Sequence, residues 1–382
     1  MSVAKTITSK RSNRIAVSTF FFIAGLTFAS WASRIPDIKN QLDLSEAGLG
    51  TVLFALPVGL MASMPISGWM VGSFGSRKVM IIASLLYPLT LILLGLVSTP
   101  LQLGCTLFMF GFFGNLFNIS VNTQAVGVEA LYGRSVMASF HGLWSLAGFS
   151  GGSLGALMIS LEFSPFIHFS IICTTAFLFV LVFNKYTLHQ DTLSTSQPVF
   201  AKPDRALLKL GLIAFFCLVC EGTMFDWSGV YFEKVVQAPK ELITLGYMAF
   251  MSSMAGGRFA GDWLANRLGK KTMLQISGIV IAAGLLIAVI FPAIIPATIG
   301  FLLVGIGVSS VVPLVYGAAG RSTTMSAGVA LAAVSTIGFL GFLVGPPLIG
   351  FIAQAFSLRL SFTVIALLGF CTSLLASKVK MN

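Results

Sequence analysis

Apolar runs of about twenty residues follow one another along the whole chain, with short polar breaks between them. About 20 apolar residues make one membrane-crossing helix. The 382 residues leave room for about twelve such spans with short connections. Only 9% of the residues are charged and 56% are hydrophobic. Soluble domains carry roughly a quarter charged residues. The composition therefore indicates a polytopic membrane protein rather than a pair of soluble domains.

Breakers and run lengths place helices at 14–34, 45–72, 77–98, 101–124, 134–160, 164–184, 206–232, 241–265, 271–291, 294–319, 325–354 and 357–377. The one long polar stretch, 185–205, carries Lys185, His189, Asp191, Lys202, Pro203, Asp204 and Arg205. The expected fold is thus all-α, with twelve transmembrane helices in two six-helix bundles. The bundles cover 1–184 and 206–382, and 185–205 links them. The first run follows Lys5, Lys10, Arg11 and Arg14 like a signal peptide, but further spans follow it, and it reads as a retained first helix.

The net charge of +11 does not indicate nucleic acid, because the basic residues sit in loops between apolar runs and form no patch interleaved with aromatics. With the N-terminus inside, the inner segments hold Arg77, Lys78, Arg134, Lys185, Lys202, Arg205, Arg267, Lys270, Lys271 and others. The outer ones hold Arg34, Lys39, Lys234, Lys240 and Arg359. This bias predicts both termini and the linker on the cytoplasmic side. The five cysteines lie in apolar runs. Cys217 and Cys220 have C-x-x-C spacing, but no second pair or histidine accompanies them, so they read as small buried residues. His and Cys are too few and too scattered for a metal site, and there is no Walker loop or Gly-x-Ser-x-Gly elbow. No enzyme activity, cofactor or metal is expected.

The two halves repeat. Gly68-Trp-Met-Val-Gly72-Ser-Phe-Gly75-Ser-Arg77-Lys78 after the second span matches Asp262-Trp-Leu-Ala-Asn266-Arg267-Leu-Gly269-Lys270-Lys271 after the eighth, at an offset of 194. The same offset pairs Gly111 with Gly305 and Gly151 with Gly345, and an offset of 196 pairs Trp31-Ala-Ser with Trp227-Ser-Gly. Two repeated halves imply a solute site near the bilayer midplane, between them.

This loop motif resembles the signature of the major facilitator superfamily, Gly-x-x-x-Asp-Arg-x-Gly-Arg-Arg/Lys, and the resemblance covers the whole chain. The motif's Asp is replaced by Gly72 in the first half and by Asn266 in the second. The charge that would latch the cytoplasmic side is therefore missing in half one. In half two Asp262 is a substitute, with Arg258 four residues away on the same helical face. Gly68, Gly75, Arg77, Arg258, Asp262, Arg267 and Gly269 are the candidates for conformational control. Further stretches are similar to a bacterial branch of MosC-like transporters: Trp31-Ala-Ser-Arg34-Ile-Pro36, Ser139-Phe-His141-Gly, Glu221-Gly-Thr-Met-Phe-Asp226-Trp227-Ser228 and Gly345-Pro346-Pro347-Leu-Ile-Gly350. The resemblance implies a bacterial inner-membrane transporter whose halves rock around a central site. One member's association with an inositol-amine points to sugar- or polyol-like solutes.

Glu221 and Asp226 stand inside the apolar run 210–231. A carboxylate at membrane depth costs at least about 2.5–3.5 kcal/mol unless something offsets it. Five residues rotate a helix by about 140°, so the two are expected on different faces and in different roles. Glu221 is the candidate carrier of a coupling proton. Asp226, nearer the outside, is expected to pair with a cation or hold solute, and Arg34 is a possible partner. Asn115, Asn118 and Asn122 recur at i, i+3 and i+7 on the fourth helix, a stripe of amides suited to a hydroxyl-rich ligand. His141, with Trp144 and Ser145 a turn further on, is a candidate proton relay. Trp31, Trp227, Tyr231, Tyr316 and Phe225 are candidate aromatic walls, and Trp144 is a candidate solute contact.

The expected function is proton-coupled movement of a small polar solute of sugar, polyol or amino-sugar type, by a monomer in contact with the lipid bilayer. Efflux of an amphipathic compound is the alternative within transport. A membrane sensor that moves nothing is the alternative outside it.

Overall fold

The computed structural model describes residues 9–133, 136–189, 204–322, 324–325 and 327–379. Among the described residues, twelve long helices carry the chain back and forth. In the first half these are α1 (Lys10–Ser33), α2 (Glu46–Phe74), α3 (Ser76–Leu94), α4 (Pro100–Tyr132), α5 (Met137–Ser160) and α6 (Pro165–Phe183). In the second they are α7 (Arg205–Lys234), α8 (Leu245–Leu268), α9 (Lys270–Ile290), α10 (Ile294–Ala319), α11 (Ala327–Ala355) and α12 (Leu358–Ser377). Eleven of them are long and apolar enough to cross a membrane. The exception, α8, has the length, at 24 residues. Its composition is diluted by Ser252, Ser253, Gly256, Gly257 and above all Arg258. Residues 190–203, the middle of the expected linker, lie outside the described residues.

Two helices are interrupted where sequence alone suggests continuity. α2 breaks at Phe54 and α10 at Ser310. In each case a proline stands three residues further on, Pro57 and Pro313. A proline has no N–H to donate, and its ring crowds the carbonyl four residues back, Leu53 and Ser309 here. α4 runs on to Tyr132, well past the expected end at 124, and stops at Gly133 in a left-handed cap. A short helix, Ile35–Gln41, fills the loop after α1.

The repeat is visible in the backbone itself. Gly75 between α2 and α3 has φ 83° and ψ 145°, and Gly269 between α8 and α9 has φ 82° and ψ 144°. An L side chain is strained in this region by about 1–3 kcal/mol. Gly75→Ala and Gly269→Ala are each expected to lower stability by about that amount, read as a fall in the unfolding midpoint in detergent. The interhelix packing is also paired: α1 lies along α5 as α7 lies along α11.

The halves meet along two seams. α5 lies against α8, and the outer part of α2, Glu46–Leu53, lies against α11. A Cβ on Gly50 would come 2.6 Å from the Pro346 carbonyl oxygen, and one on Gly350 equally close to the Glu46 carbonyl. Only glycine permits this approach. Past Leu53, α2 makes little contact with α11. The seam is therefore closed at the face opposite the chain termini and parts towards the face that carries them.

Candidate functional site

The carboxylates on α7 open on a cavity of about 280 Å3 between the two halves. The first half contributes Phe21, Phe28, Asn115, Asn118, His141 and Trp144 to its wall. The second contributes Glu221, Phe225, Asp226, Arg258 and Phe342. Asn118 is exposed while Asn115, one turn away from the terminal face, is buried. The opening therefore leads to the terminal face.

Arg258 organises the charged part. Its Nη2 lies 3.4 Å from Glu221 Oε1, its Nη1 donates to Ser145 Oγ at 2.6 Å, and its guanidinium stands 5.7 Å from the Trp144 ring centre. Both members of the ion pair are largely buried, with side-chain exposures of 8% for Glu221 and 19% for Arg258. Glu221 lies thirteen residues before the end of α7 and Arg258 thirteen residues after the start of α8. The two helices run antiparallel, so equal counts put both charges at one depth, about 20 Å from the outer ends. Arg258 pairs with Glu221; its expected neighbour Asp262 has a side chain that lies outside the described residues. The signal was present in the sequence, since an arginine in mid-span needs a counter-charge at its own depth.

Asp226 also lines the cavity, so the two carboxylates share one chamber despite their angular separation. The chamber wraps around α7, from the α8 side to the α11 side. The roles still differ by partner. Among the described residues, no side chain bonds or pairs with the Asp226 carboxylate. The expected Arg34–Asp226 pair does not form. Arg34 caps α1 and stays in its own half, bonded to Asp37 at 2.5 Å, to His168 Nδ1 at 3.3 Å and to the Phe163 carbonyl at 2.8 Å. A local partner three residues away and a carbonyl on the α5–α6 turn satisfy it more cheaply than a carboxylate across the halves.

Rings surround the carboxylates. Phe225, between them in sequence, meets Phe28 edge-on at 5.1 Å, Trp144 at 6.1 Å and Phe342 at 6.4 Å. Phe225, an expected wall residue, lines the chamber, and Phe28 and Phe342 stand with it in the place expected for Trp31 and Trp227. Those two indoles are fully buried in the bundle, at 1% and 0% exposure, and are not part of this wall. Tyr316 is likewise not part of the wall. His141 is, edge-on to Phe21 at 5.3 Å. The amide stripe divides. Asn115 bonds Ser63 on α2 at 2.8 Å, and Asn122 turns back on Asn118, Nδ2 to Oδ1, at 2.8 Å. Asn115 and Asn118 face the cavity; Asn122 does not.

The motif loops act inside their own halves. Arg77 donates to Thr187 Oγ1 at 2.9 Å and to the Asn184 carbonyl at 3.1 Å, stapling α3 to the turn after α6. Gln124 bonds Ser76 at 2.7 Å and clasps the Leu188 backbone from the same side. Arg267 lies over the Trp263 ring at 5.5 Å. Gly68 has open space where a side chain would go. Among the described residues, two side-chain hydrogen bonds join the halves. One is Arg258–Ser145, at membrane depth; the other is Asn40–Glu233, at the face away from the termini, at 2.6 Å.

Two six-helix halves around a charged, ring-lined chamber that opens to one face define a multi-pass membrane transport protein. The family profile of the Major Facilitator Superfamily matches residues 15–327, and the chain belongs to that superfamily. It is 35% identical over 357 residues to an uncharacterized MFS-type transporter of Yersinia pestis, covering 94% of this chain and 93% of that one. It is 31% identical over 375 residues to the membrane protein MosC of Rhizobium meliloti, covering 97% and 90%. Among solved structures it is similar in fold to the nucleoside transporter NupG, with a TM-score of 0.77, 13% identity, and 96% and 99% of the chains covered. A bacterial homologue of the lysosomal transporter Spinster, described as inward-facing and unoccupied, gives 0.73 at 16% identity, with 98% of each chain covered. Family and fold are those of secondary transporters, not of enzymes.

Proposed function

We propose that this chain carries a small polar solute of sugar, polyol or amino-sugar type across a bacterial inner membrane by alternating access, coupled to protons. The observation that carries the reading is the unequal pair of carboxylates in one chamber: Glu221 held by Arg258, and Asp226 with no partner among the described residues. A paired carboxylate at membrane depth can exchange its cation for a proton; an unpaired one can receive the solute. The amides of Asn115 and Asn118 offer donors and acceptors to hydroxyl groups. The rings of Phe28, Trp144, Phe225 and Phe342 suit the apolar face of a sugar ring or an ammonium group. The cavity volume is at the small end for ligand sites, in keeping with a small solute.

The loop charges favour cytoplasmic termini, which makes the conformation described here inward-facing. The mainly aromatic and aliphatic wall also supports efflux of an amphipathic compound. Reconstituted vesicles loaded with a pH dye separate the readings. Addition of glucosamine or myo-inositol is expected to produce a solute-dependent pH change whose sign distinguishes symport from antiport. A pH change driven only by amphipathic amines favours efflux. No flux with any solute class favours a sensor and overturns the transport reading.

A further inference from the structure

The repeat makes one part of the chamber wall conspicuously unequal. The crossing of α2 on α4 and that of α8 on α10 share a register at the 194 offset. A Cβ on Gly111 would strike the Leu56 carbonyl, and one on Gly305 the Phe250 carbonyl. At this register Tyr87 on α3 is the counterpart of Ile281 on α9, and Phe113-Gly114 on α4 is the counterpart of Gly307-Val308 on α10. Ile281 sits over Gly307, its Cγ1 2.6 Å from where a Cβ would stand. It is fully buried and takes no part in the chamber wall. Tyr87 sits over Gly114 instead, with its ring atoms Cε2 and Cζ 2.9 and 3.3 Å from the corresponding position. The glycine seat has moved by one residue, about 100° round the helix. The move turns it to the chamber, which Tyr87 and Gly114 both line.

Tyr87 is only 5% exposed, and among the described residues its hydroxyl has no hydrogen-bond partner. An unsatisfied buried hydroxyl is costly, and a phenylalanine would fill the same seat without that cost. The surroundings are apolar. The Phe110 ring centre lies 4.4 Å away, and Leu56, Pro57 and Leu60 of α2 complete a side lobe of the chamber. Tyr87 stands seven residues before the end of α3, and Asp226 eight residues before the end of α7. Both helices end at the face away from the termini, so the two groups lie about 10–12 Å in from those ends. The outer end of the chamber thus offers a carboxylate from one half and an unpartnered phenol from the other.

We propose that Tyr87 is a solute-binding residue: its hydroxyl reads a hydroxyl group of the solute, and the lobe between α2, α3 and α4 takes the adjoining apolar face of the solute ring. The inference rests on the transport reading above and deepens it. A phenol both donates and accepts, as a solute hydroxyl does. Ile281 and Val308 put no hydroxyl and no wall residue at the equivalent place, so this end of the solute is held by the first half alone.

Tyr87→Phe keeps the ring in its seat and removes the hydroxyl. Calorimetric titration with myo-inositol and with glucosamine is expected to show affinity for both falling about tenfold, the size of one lost hydrogen bond. The unfolding midpoint without solute is expected to stay unchanged, because the hydroxyl bonds nothing in the empty chamber. Unchanged affinity for both solutes, or a midpoint that falls, overturns the proposal. A second measurement needs no solute. Tyr87→Cys and Ile281→Cys are placed separately in a chain carrying Cys105→Ser and Cys371→Ser, and the purified protein is treated with a trimethylammonium methanethiosulfonate. Tyr87→Cys is expected to react at least about tenfold faster than its buried counterpart, since thiol reactivity follows access. Equal rates overturn the proposal. If the unsubstituted protein binds neither solute while Tyr87→Cys reacts fast, the sugar-type reading fails and the lobe stands as a subsite for another solute.

Discussion

Arg258→Ala is expected to abolish solute-dependent flux and to destabilise the protein by about 3–5 kcal/mol, the usual cost of removing one partner from a buried ion pair. Glu221 would be left as a carboxylate 20 Å or so from the outer helix ends, with Ser145 and the Trp144 ring facing a void where the guanidinium was. The cost belongs to the stranded charge more than to the lost contact. Glu221→Gln added to Arg258→Gln is therefore expected to recover much of the stability while transport stays absent. Unfolding in mixed micelles across the four proteins of the cycle gives the coupling energy, expected to exceed about 1 kcal/mol. Additive single effects would mean that the pair does not exist in the working protein. Ser145→Ala tests the arm that crosses between the halves. It is expected to slow transport without the large loss of stability, because it leaves the Glu221–Arg258 pair in place.

Asp226→Asn is expected to remove recognition of an ammonium group. The amide keeps the shape of the carboxylate and loses its charge. Glucosamine affinity is expected to fall about a hundredfold, which is close to 2.8 kcal/mol at 1.4 kcal/mol per decade, while myo-inositol affinity changes less than about fivefold. Calorimetric titration of the purified protein reads both. An equal loss for the two solutes would make Asp226 a general hydrogen-bond partner rather than a charge receptor. No loss for either would place the solute elsewhere in the chamber. The site is open to this reading because the nearest cation in the wall, Arg258, is already taken by Glu221.

The architecture was legible from the chain because its signals are additive. Twenty apolar residues make a span whatever their order, and Gly75 and Gly269 mark the repeat because a backbone at φ near 80° admits almost nothing else. Helix interruptions at Phe54 and Ser310 were readable in principle from Pro57 and Pro313. The partners of charged groups were harder. Arg34 had a carboxylate three residues away and a carbonyl across a turn, neither of which stands out against the attraction of a lone acid on another helix. Arg258 has Glu221 as its partner on a neighbouring helix, and only equal depth along antiparallel helices points to it in the sequence. Aromatic rings were hardest. Trp227 and Phe225 are two residues apart on α7, and which of them meets the chamber depends on helix rotation that no local pattern reveals.

The formal charges in the chamber wall have an electrical consequence. Glu221, Asp226 and Arg258 together leave one negative charge. A proton or a solute ammonium brings that sum to zero. In the cycle proposed above, the loaded chamber would then cross the membrane field as a neutral body and the empty one as an anion. Carrying one elementary charge through the whole field is worth at most about 2.3 kcal/mol per 100 mV. With the cell interior negative, voltage would therefore act in that cycle on the return of the empty carrier and drive its chamber to face outward. Uptake by such a carrier should quicken as the membrane hyperpolarises, even when the solute it delivers enters with no net charge movement of its own.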